Sequence, residues 1–350
     1  MKYLVYILTL LSLLSCTKTE LGPQCEDCPK EPITTTNFTD VLIVNEGNYT
    51  NGNASLSFYK SETQEVYNNV YSNANSGLPL GDVAQSALQI GDKLYVVVNN
   101  SSKIAVLDAN NFETIQTISG FNSPRYILPI NNQKAYVSDL YANAISILDL
   151  NTSTISGTIP TNGWTEKMLL HNDTAYVCNY NNSKILIINT ATNTIVGDIA
   201  TGKGVNSITL DKNNKIWVLC NGGINEEIPS IVQFNPTNRV IEKTILFTDI
   251  THSPSNLTFN DVKDEFVFIN QDVFKMSIND NSLPSTPFIT RTTGSLFYGL
   301  GISPINNEIY IADAKDYVQK GDVYRYSYSG SLIHQFEAGI IPSDFLFFNQ

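Results

Sequence analysis

The feature that most constrains the fold is a strand pattern that recurs along nearly the whole chain. A short apolar strand with an aromatic residue near its start and Asn or Asp near its end occurs seven times, at residues 42–45, 94–99, 135–139, 175–179, 216–221, 266–270 and 309–313. The starts of successive copies are 40 to 52 residues apart. Short alternating strands with this period predict a β-propeller. No segment keeps the 3.6-residue periodicity of a helical solenoid.

Each repeat resolves into four strands. In the third repeat these are residues 126–129, 135–138, 144–149 and 155–159. Asn131-Asn132 is the predicted turn between the first two strands, because Asn tolerates the positive φ of a tight hairpin. The first repeat begins at its second strand, and residues 341–348 resemble an innermost strand. The sequence therefore predicts an all-β, seven-bladed propeller of four-stranded blades over residues 39–350. Its C-terminal strand joins the N-terminal blade and closes the ring.

The N-terminus has the features of an export signal. Lys2 precedes an apolar run over residues 4–14, which is too short to span a bilayer, and Ser15-Cys16 follows. This resembles the bacterial lipobox, which implies cleavage before Cys16 and lipidation of that residue; an ordinary signal peptide with a chance cysteine is the alternative. We predict a lipoprotein signal peptide at 1–15 and a lipidated flexible tether at 16–38. We expect the protein on the outer membrane, facing the exterior.

The tether carries one cysteine pair, Cys25 and Cys28, with no second pair at zinc-binding spacing. A local disulfide or inert thiols are favoured over redox or zinc chemistry. Cys178 and Cys220 are expected to be buried free thiols, because they lie on neighbouring blades.

Charge and composition exclude several functions. The chain has 21 Lys and Arg against 33 Asp and Glu, a formal net charge of −12, and nucleic-acid binders present a basic face instead. It has only three histidines, no glycine-rich phosphate motif and no marked nucleophile–base pair. The sequence predicts a protein that is not an enzyme and has no metal and no cofactor.

Strand direction places the candidate site. Strands within a blade alternate, so the ends of the second strands and the starts of the first strands meet on one face near the axis. The ligand-binding candidates at these positions are Glu46, Asn48, Gln85, Asn99, Arg125, Tyr141, Trp164, Asn179, Tyr180, Asn206, Asn256, Tyr298 and Asp344. Amides supply orientation and aromatic rings supply area, which suits an amide-rich, amphipathic or polyhydroxylated ligand. The alternative is that Asn and Asp at strand ends only complete turns. The aromatics Tyr95, Tyr136, Tyr176 and Trp217 are expected to pack in the core.

The repeat resembles the YncE-like propellers over the whole mature domain. The first blade, with residues 43–49 and 53–59, resembles a group of Bacteroidetes surface lipoproteins that includes the BtuG cobalamin-binding proteins. That resemblance implies capture of cobalamin or a related corrinoid and its transfer to a TonB-dependent outer-membrane transporter of the BtuB type. Arg125 is then expected to meet the phosphate of the nucleotide loop. Two alternatives remain: a propeller that binds a glycan or a protein partner, and an enzyme such as a lyase or quinoprotein-like oxidoreductase.

Overall fold

The computed structural model describes residues 39–223 and 225–348. Over these residues the predicted all-β propeller is confirmed: seven antiparallel sheets each form one blade. Cys16, Cys25 and Cys28 lie outside the described residues, as do the segments predicted as signal peptide and tether.

The first three blades contain the following strands in chain order. Blade one has β1 (Val41–Asn45), β2 (Ser55–Lys60) and β3 (Glu65–Tyr67). Blade two has β4 (Ala84–Ile90), β5 (Lys93–Val98), β6 (Lys103–Asp108) and β7 (Thr114–Ser119). Blade three has β8 (Pro124–Asn131), β9 (Lys134–Asp139), β10 (Ala144–Asp149) and β11 (Thr154–Pro160).

The other four blades follow the same order. Blade four has β12 (Thr165–His171), β13 (Thr174–Asn179), β14 (Lys184–Asn189) and β15 (Thr194–Ala200). Blade five has β16 (Val205–Leu210), β17 (Ile216–Cys220), β18 (Ser230–Phe234) and β19 (Ile241–Leu246). Blade six has β20 (Ser255–Phe259), β21 (Glu265–Asn270) and β22 (Asp272–Ser277). Blade seven has β23 (Phe297–Ile302), β24 (Ile309–Asp313), β25 (Lys320–Tyr326) and β26 (Leu332–Ile340).

The ring closes as the sequence predicts. The last strand, β27 (Pro342–Phe347), pairs antiparallel with β1, and Leu42 faces Leu346 in that register. The first blade therefore has the strand order β27-β1-β2-β3. The innermost strands pack in a closed circle that runs β27, β4, β8, β12, β16, β20, β23 and back to β27. Both ends of the described chain are thus tied into one sheet, and the unpaired edge of each innermost strand faces the propeller axis instead of the outer surface.

Blade six departs from the common pattern. Its sheet has three strands, and only a single bridge, between Val273 and Ile289, lies where the fourth strand of the other blades pairs. The Lys275 ammonium lies 4.1 Å from the Phe288 ring centroid and 4.6 Å from that of Tyr328. The first contact binds the irregular segment to the outermost strand of the sheet, and the second connects that strand to the residues after β25 of blade seven.

The hydrophobic core lies between blades rather than within them. Consecutive residues of each second strand point to opposite sides of the sheet, so one packs on the preceding blade and the next on the following blade. Leu94, for example, packs on blade one and Tyr95 on blade three. The expectation that Tyr95, Tyr136, Tyr176 and Trp217 are core residues is confirmed, since all four are buried. Cys178 and Cys220 are buried free thiols in the cluster between blades four and five.

Helices are short. α1 (Val70–Ala74) follows the first blade, and a 3₁₀ turn, Asn99–Ser101, follows β5. Among the described residues, no helix has the length and apolar character to cross a membrane.

Candidate functional site

A cavity of about 570 Å³ opens on the face where each second strand ends and each first strand begins. Side chains from all seven blades line it, so it lies on the propeller axis; we call it the axial cavity. Its volume is within the range of ordinary small-molecule sites.

A β-bulge builds the lining in the same way in every blade. Each innermost strand shifts register against its neighbour just after its start, so that two of its residues oppose one on the second strand. Each bulge brings at least one residue to the cavity lining, and the second residue of each innermost strand is among them: Gln85, Arg125, Glu166, Asn206, Asn256, Tyr298 and Ser343. A bulge re-aims a side chain that regular pleating would direct between blades. Seven bulges at one height therefore surround the axis with polar groups.

The structure brings most of the predicted site residues together. Nine of them line the axial cavity: Glu46, Gln85, Arg125, Trp164, Tyr180, Asn206, Asn256, Tyr298 and Asp344. The expectation that first-strand starts and second-strand ends share one face thus matches the geometry.

Four other predicted residues are not part of the cavity lining. Asn99 and Asn179 are buried, and their amides donate at 2.9 Å to the carbonyls of Pro124 and Thr161. Asn99 thus connects blade two to the first strand of blade three, and Asn179 holds the segment that enters its own blade. Both match the turn-completing alternative. Asn48 donates to the carbonyl of Tyr317.

Tyr141 is 70% exposed, on the same face as the axial cavity but away from it.

A charged pair fixes one wall of the cavity. Arg125 Nε donates to both oxygens of Glu166 at 3.1 and 3.3 Å, and Nη2 donates to Oε1 at 2.9 Å. Arg125 also donates through Nη1 to Gln85. Burial alone would lower the pKa of Arg125, but the neighbouring Glu166 carboxylate outweighs it and raises that pKa above its ordinary value. The Arg125 guanidinium remains charged, and most of its donor capacity is already used within the protein.

An aromatic pair stands beside the charged wall. The rings of Trp164 and Tyr180 stack with centroids 4.1 Å apart and planes 24° apart. Trp164 Nε1 donates to Glu166 Oε1 at 2.6 Å, and the Tyr180 hydroxyl donates to Asn221 at 3.2 Å. The Arg125 guanidinium carbon lies 5.9 Å from the Trp164 ring centroid. The pair is held in place before any ligand arrives, which reduces the entropy cost of binding.

An acidic sector lies on the blade-one side of the cavity. Glu46 directly follows β1, and the Tyr298 hydroxyl donates to its two carboxylate oxygens at 3.2 and 3.3 Å. Burial raises the pKa of Glu46 to about 7, although Arg125 and Tyr298 act in the opposite direction. Burial also raises the pKa of Asp344, against the attraction of Lys167. Within the described residues, neither carboxylate is in an ion pair.

Sequence reasoning missed Glu166 and Lys167. It placed the start of the first strand of blade four at Trp164, whereas β12 begins at Thr165. The signal was present in the sequence: the second residue of the first strand is polar in the other repeats, and Glu166 holds that position. Aligning the first strands of the repeats would have found it.

The described residues contain no group of three His, Cys, Asp or Glu side chains that could hold a metal ion. His252 contacts Asn270 at about hydrogen-bond distance and is not among the lining residues.

Comparison with known proteins adds a family and a fold. A family model described as a domain of unknown function, DUF5074, matches residues 39–347. No curated protein matches the sequence.

Among solved structures, a quinoprotein alcohol dehydrogenase-like protein from Bacteroides thetaiotaomicron is 15% identical with a TM-score of 0.70, over 89% of this chain and 79% of that chain. The hydrazine synthase of Kuenenia stuttgartiensis is 12% identical with a TM-score of 0.58, over 73% and 86%. The dihydro-heme d1 dehydrogenase NirN, in complex with DHE, is 8% identical with a TM-score of 0.60, over 91% and 77%. Enzymes are thus among the structural neighbours, and at these identities the likeness shows the fold alone.

Proposed function

The chain belongs to the DUF5074 family, a domain of unknown function, and from that premise we propose that it binds cobalamin or a related corrinoid in the axial cavity. In this proposal the protein carries out no chemistry on the ligand. It is held on the outer membrane by a lipid on Cys16 and passes the ligand to a TonB-dependent transporter.

The observation that carries the proposal is the composition of the cavity wall. Neutral hydrogen-bonding side chains, among them Gln85, Asn206 and Asn256, surround the axis beside the fixed Trp164–Tyr180 pair. A corrinoid is a broad, flat macrocycle with amide groups around its rim. Amide side chains both donate and accept, so they pair with such a rim, while the aromatic pair covers apolar edges. Because the ligand is larger than the cavity, we expect one side of it to enter while the rest lies in the mouth.

The internal contacts of the cavity favour binding over catalysis. Arg125, Glu166 and Trp164 are engaged with one another, which suits a wall that keeps its shape. The same contacts bear on the expectation that Arg125 meets the ligand phosphate. Its charge is already balanced by Glu166, so we expect any phosphate contact there to add little affinity.

Apolar side chains on the rim support a docking partner. Tyr49, Tyr141 and Val318 follow second strands of three blades, and 71%, 70% and 69% of their respective surfaces are exposed. Exposed aromatic and apolar groups around a binding site are typical of protein–protein interfaces. A transporter that meets this rim would receive the ligand directly from the mouth of the cavity.

Calorimetric titration of the purified protein with cyanocobalamin tests the binding. We expect one-to-one binding, together with quenching of Trp164 fluorescence. The other tryptophan, Trp217, is buried in the core, so a Trp164→Phe variant should lose the quenching and keep the residual emission. The absence of both heat and quenching at high ligand concentration would refute the proposal.

A glycan is the second candidate, and the aromatic pair also favours it, because sugar rings pack on aromatic side chains. A panel of soluble oligosaccharides in the same titration separates the two. Binding heat with a saccharide and none with cyanocobalamin would favour a glycan as the ligand of the axial cavity.

A further inference from the structure

We propose that Glu46 accepts a hydrogen bond from an N–H group of the ligand, and that binding drives the release to solvent of the proton from those molecules in which the Glu46 carboxyl group still carries one. The step balances: the carboxylic acid loses its proton to the buffer, and the resulting carboxylate receives the ligand N–H without transfer of that hydrogen. This inference rests on the proposed function, and it adds which group of the ligand Glu46 recognises and how binding depends on pH.

The position of Glu46 is fixed by the backbone around it. Its amide donates to the carbonyl of Ile341 at 2.9 Å, and its carbonyl accepts from the amide of Ala84 at 3.3 Å. The residue thus joins the innermost strands of blades one and two, and its side chain lines the axial cavity. These bonds fix the Glu46 backbone, and the Tyr298 hydroxyl restrains its carboxylate.

The carboxylate has acceptor capacity to spare. A carboxylate group has about four lone-pair sites. The Tyr298 hydroxyl supplies the hydrogen bond to it at 3.2 to 3.3 Å, and Ser343 lies on the same side as a weaker partner. The remaining sites face a cavity that also presents amides. An N–H group is the complementary donor, and a charge-assisted hydrogen bond to it is stronger than a neutral one.

The groups around Glu46 explain why its carboxyl group keeps a proton up to near-neutral pH. Arg125 favours the carboxylate but is occupied by Glu166, and Asp344 opposes a second negative charge nearby. The phenols of Tyr298 and Tyr317 complete the surroundings. Burial, the largest effect, raises the pKa of Glu46 to about 7, so the free protein is a mixture of both forms at neutral pH. A ligand N–H donor stabilises the ionised form more than the neutral acid and therefore lowers that pKa.

Histidine does not offer an easy alternative source of the proton. The three histidines, at 171, 252 and 334, are absent from the cavity lining. His334 stacks on Tyr59 with centroids 5.7 Å apart, far from the mouth, near the strand ends of the opposite face. A proton released near pH 7 on binding is therefore assigned to the carboxyl groups of the acidic sector.

Calorimetric titration with cyanocobalamin in two buffers of different ionisation enthalpy measures the proton count directly. At pH 7 we expect release of about half a proton per ligand, and between pH 6 and pH 8 an increase in affinity of about tenfold. Glu46→Gln should abolish both effects and keep measurable binding, with affinity independent of pH. Glu226→Gln is the matched control, because Glu226 lies exposed in the loop after β17, outside the lining, and should behave as the parent.

Two further variants assign the proton within the acidic sector. Tyr298→Phe removes the donor to Glu46 and should move the midpoint of the pH dependence upwards. Asp344→Asn removes the like charge and should move it downwards while proton release continues. Binding without proton release in the parent, or unchanged release in Glu46→Gln, would overturn the inference and leave the proposed function standing. No binding at any pH would overturn both.

Discussion

The indole Nε1 of Trp164 donates a hydrogen bond of 2.6 Å to Oε1 of Glu166, the same oxygen that Arg125 Nη2 approaches at 2.9 Å. One carboxylate therefore orients both the aromatic wall and the guanidinium beside it. The Glu166 side chain is only 4% exposed, so water does not readily take the place of its carboxylate as the acceptor when the residue is changed.

Replacing Glu166 should cost stability as well as affinity. Glu166→Ala leaves the Arg125 charge buried without its partner, and we expect a loss of about 3–5 kcal/mol in the free energy of unfolding. Chemical denaturation measures it. Glu226→Ala, which removes an exposed partner of Lys203, should leave the free energy of unfolding nearly unchanged, because solvent screens this ion pair. Equal losses in the two variants would contradict the role of Glu166.

The aromatic pair should provide much of the binding energy. Trp164→Ala removes the larger ring of the pair and the stacking contact that holds Tyr180. We therefore expect affinity for cyanocobalamin to fall by about 30-fold or more. Tyr141→Ala is the control, since this exposed tyrosine lies on the same face outside the cavity. The same titration measures both. A Trp164→Ala variant that binds as tightly as the parent would place the ligand elsewhere.

Glu46 should make the free protein less stable at higher pH. Its pKa is about 7 in the folded chain against an ordinary value of 4.5, so the folded state retains a proton that the unfolded state has released. The contribution of Glu46 to the free energy of unfolding is fully present below pH 4.5. It decreases by up to about 3 kcal/mol as the pH rises to 7.

The uncharged Glu46→Gln side chain should therefore stabilise the ligand-free protein at pH 8 and change it little at pH 4.5. Thermal unfolding at the two values tests this. A variant less stable than the parent at pH 8 would show that the carboxylate is well accommodated.

The junction between the last and first blades should be sensitive to one charge. Arg325 is buried, pairs with both Glu308 oxygens at 2.7 and 2.8 Å and donates to the Tyr59 hydroxyl at 3.2 Å. Arg325→Ala should lower the free energy of unfolding by about 3–5 kcal/mol. Ligand affinity should stay unchanged in the folded protein, because this cluster lies at the opposite face. A large loss of affinity at full stability would be inconsistent with the separation of the two faces.

Lipidation is tested at Cys16. Cys16→Ala should abolish incorporation of labelled fatty acid and release the protein from the membrane fraction. Cys25→Ala, in the same segment, should stay lipidated and membrane-bound. Persistent labelling of Cys16→Ala would favour the ordinary signal peptide.

The sequence by itself determined the number of blades, their strand order and the closure of the ring. Each blade must bury both faces against its neighbours, so the same alternation of apolar residues recurs in each second strand, as in Leu94 and Tyr95. Strand direction then fixed which ends share a face. That was sufficient to bring nine of the thirteen candidate residues to one cavity.

Only the tertiary structure decided which side chains reach the axis and what they do there. A bulge depends on the register between paired strands, and a register shift of one residue directs Glu166 into the cavity. The amides of Asn99 and Asn179 instead donate to backbone carbonyls. Glu46 and Tyr298 are 252 residues apart in sequence, yet their hydrogen bond and shared burial set the acidity of the site. Pairing across the closed ring is a property of the assembled blades, because no local pattern specifies the distance between residues on different blades.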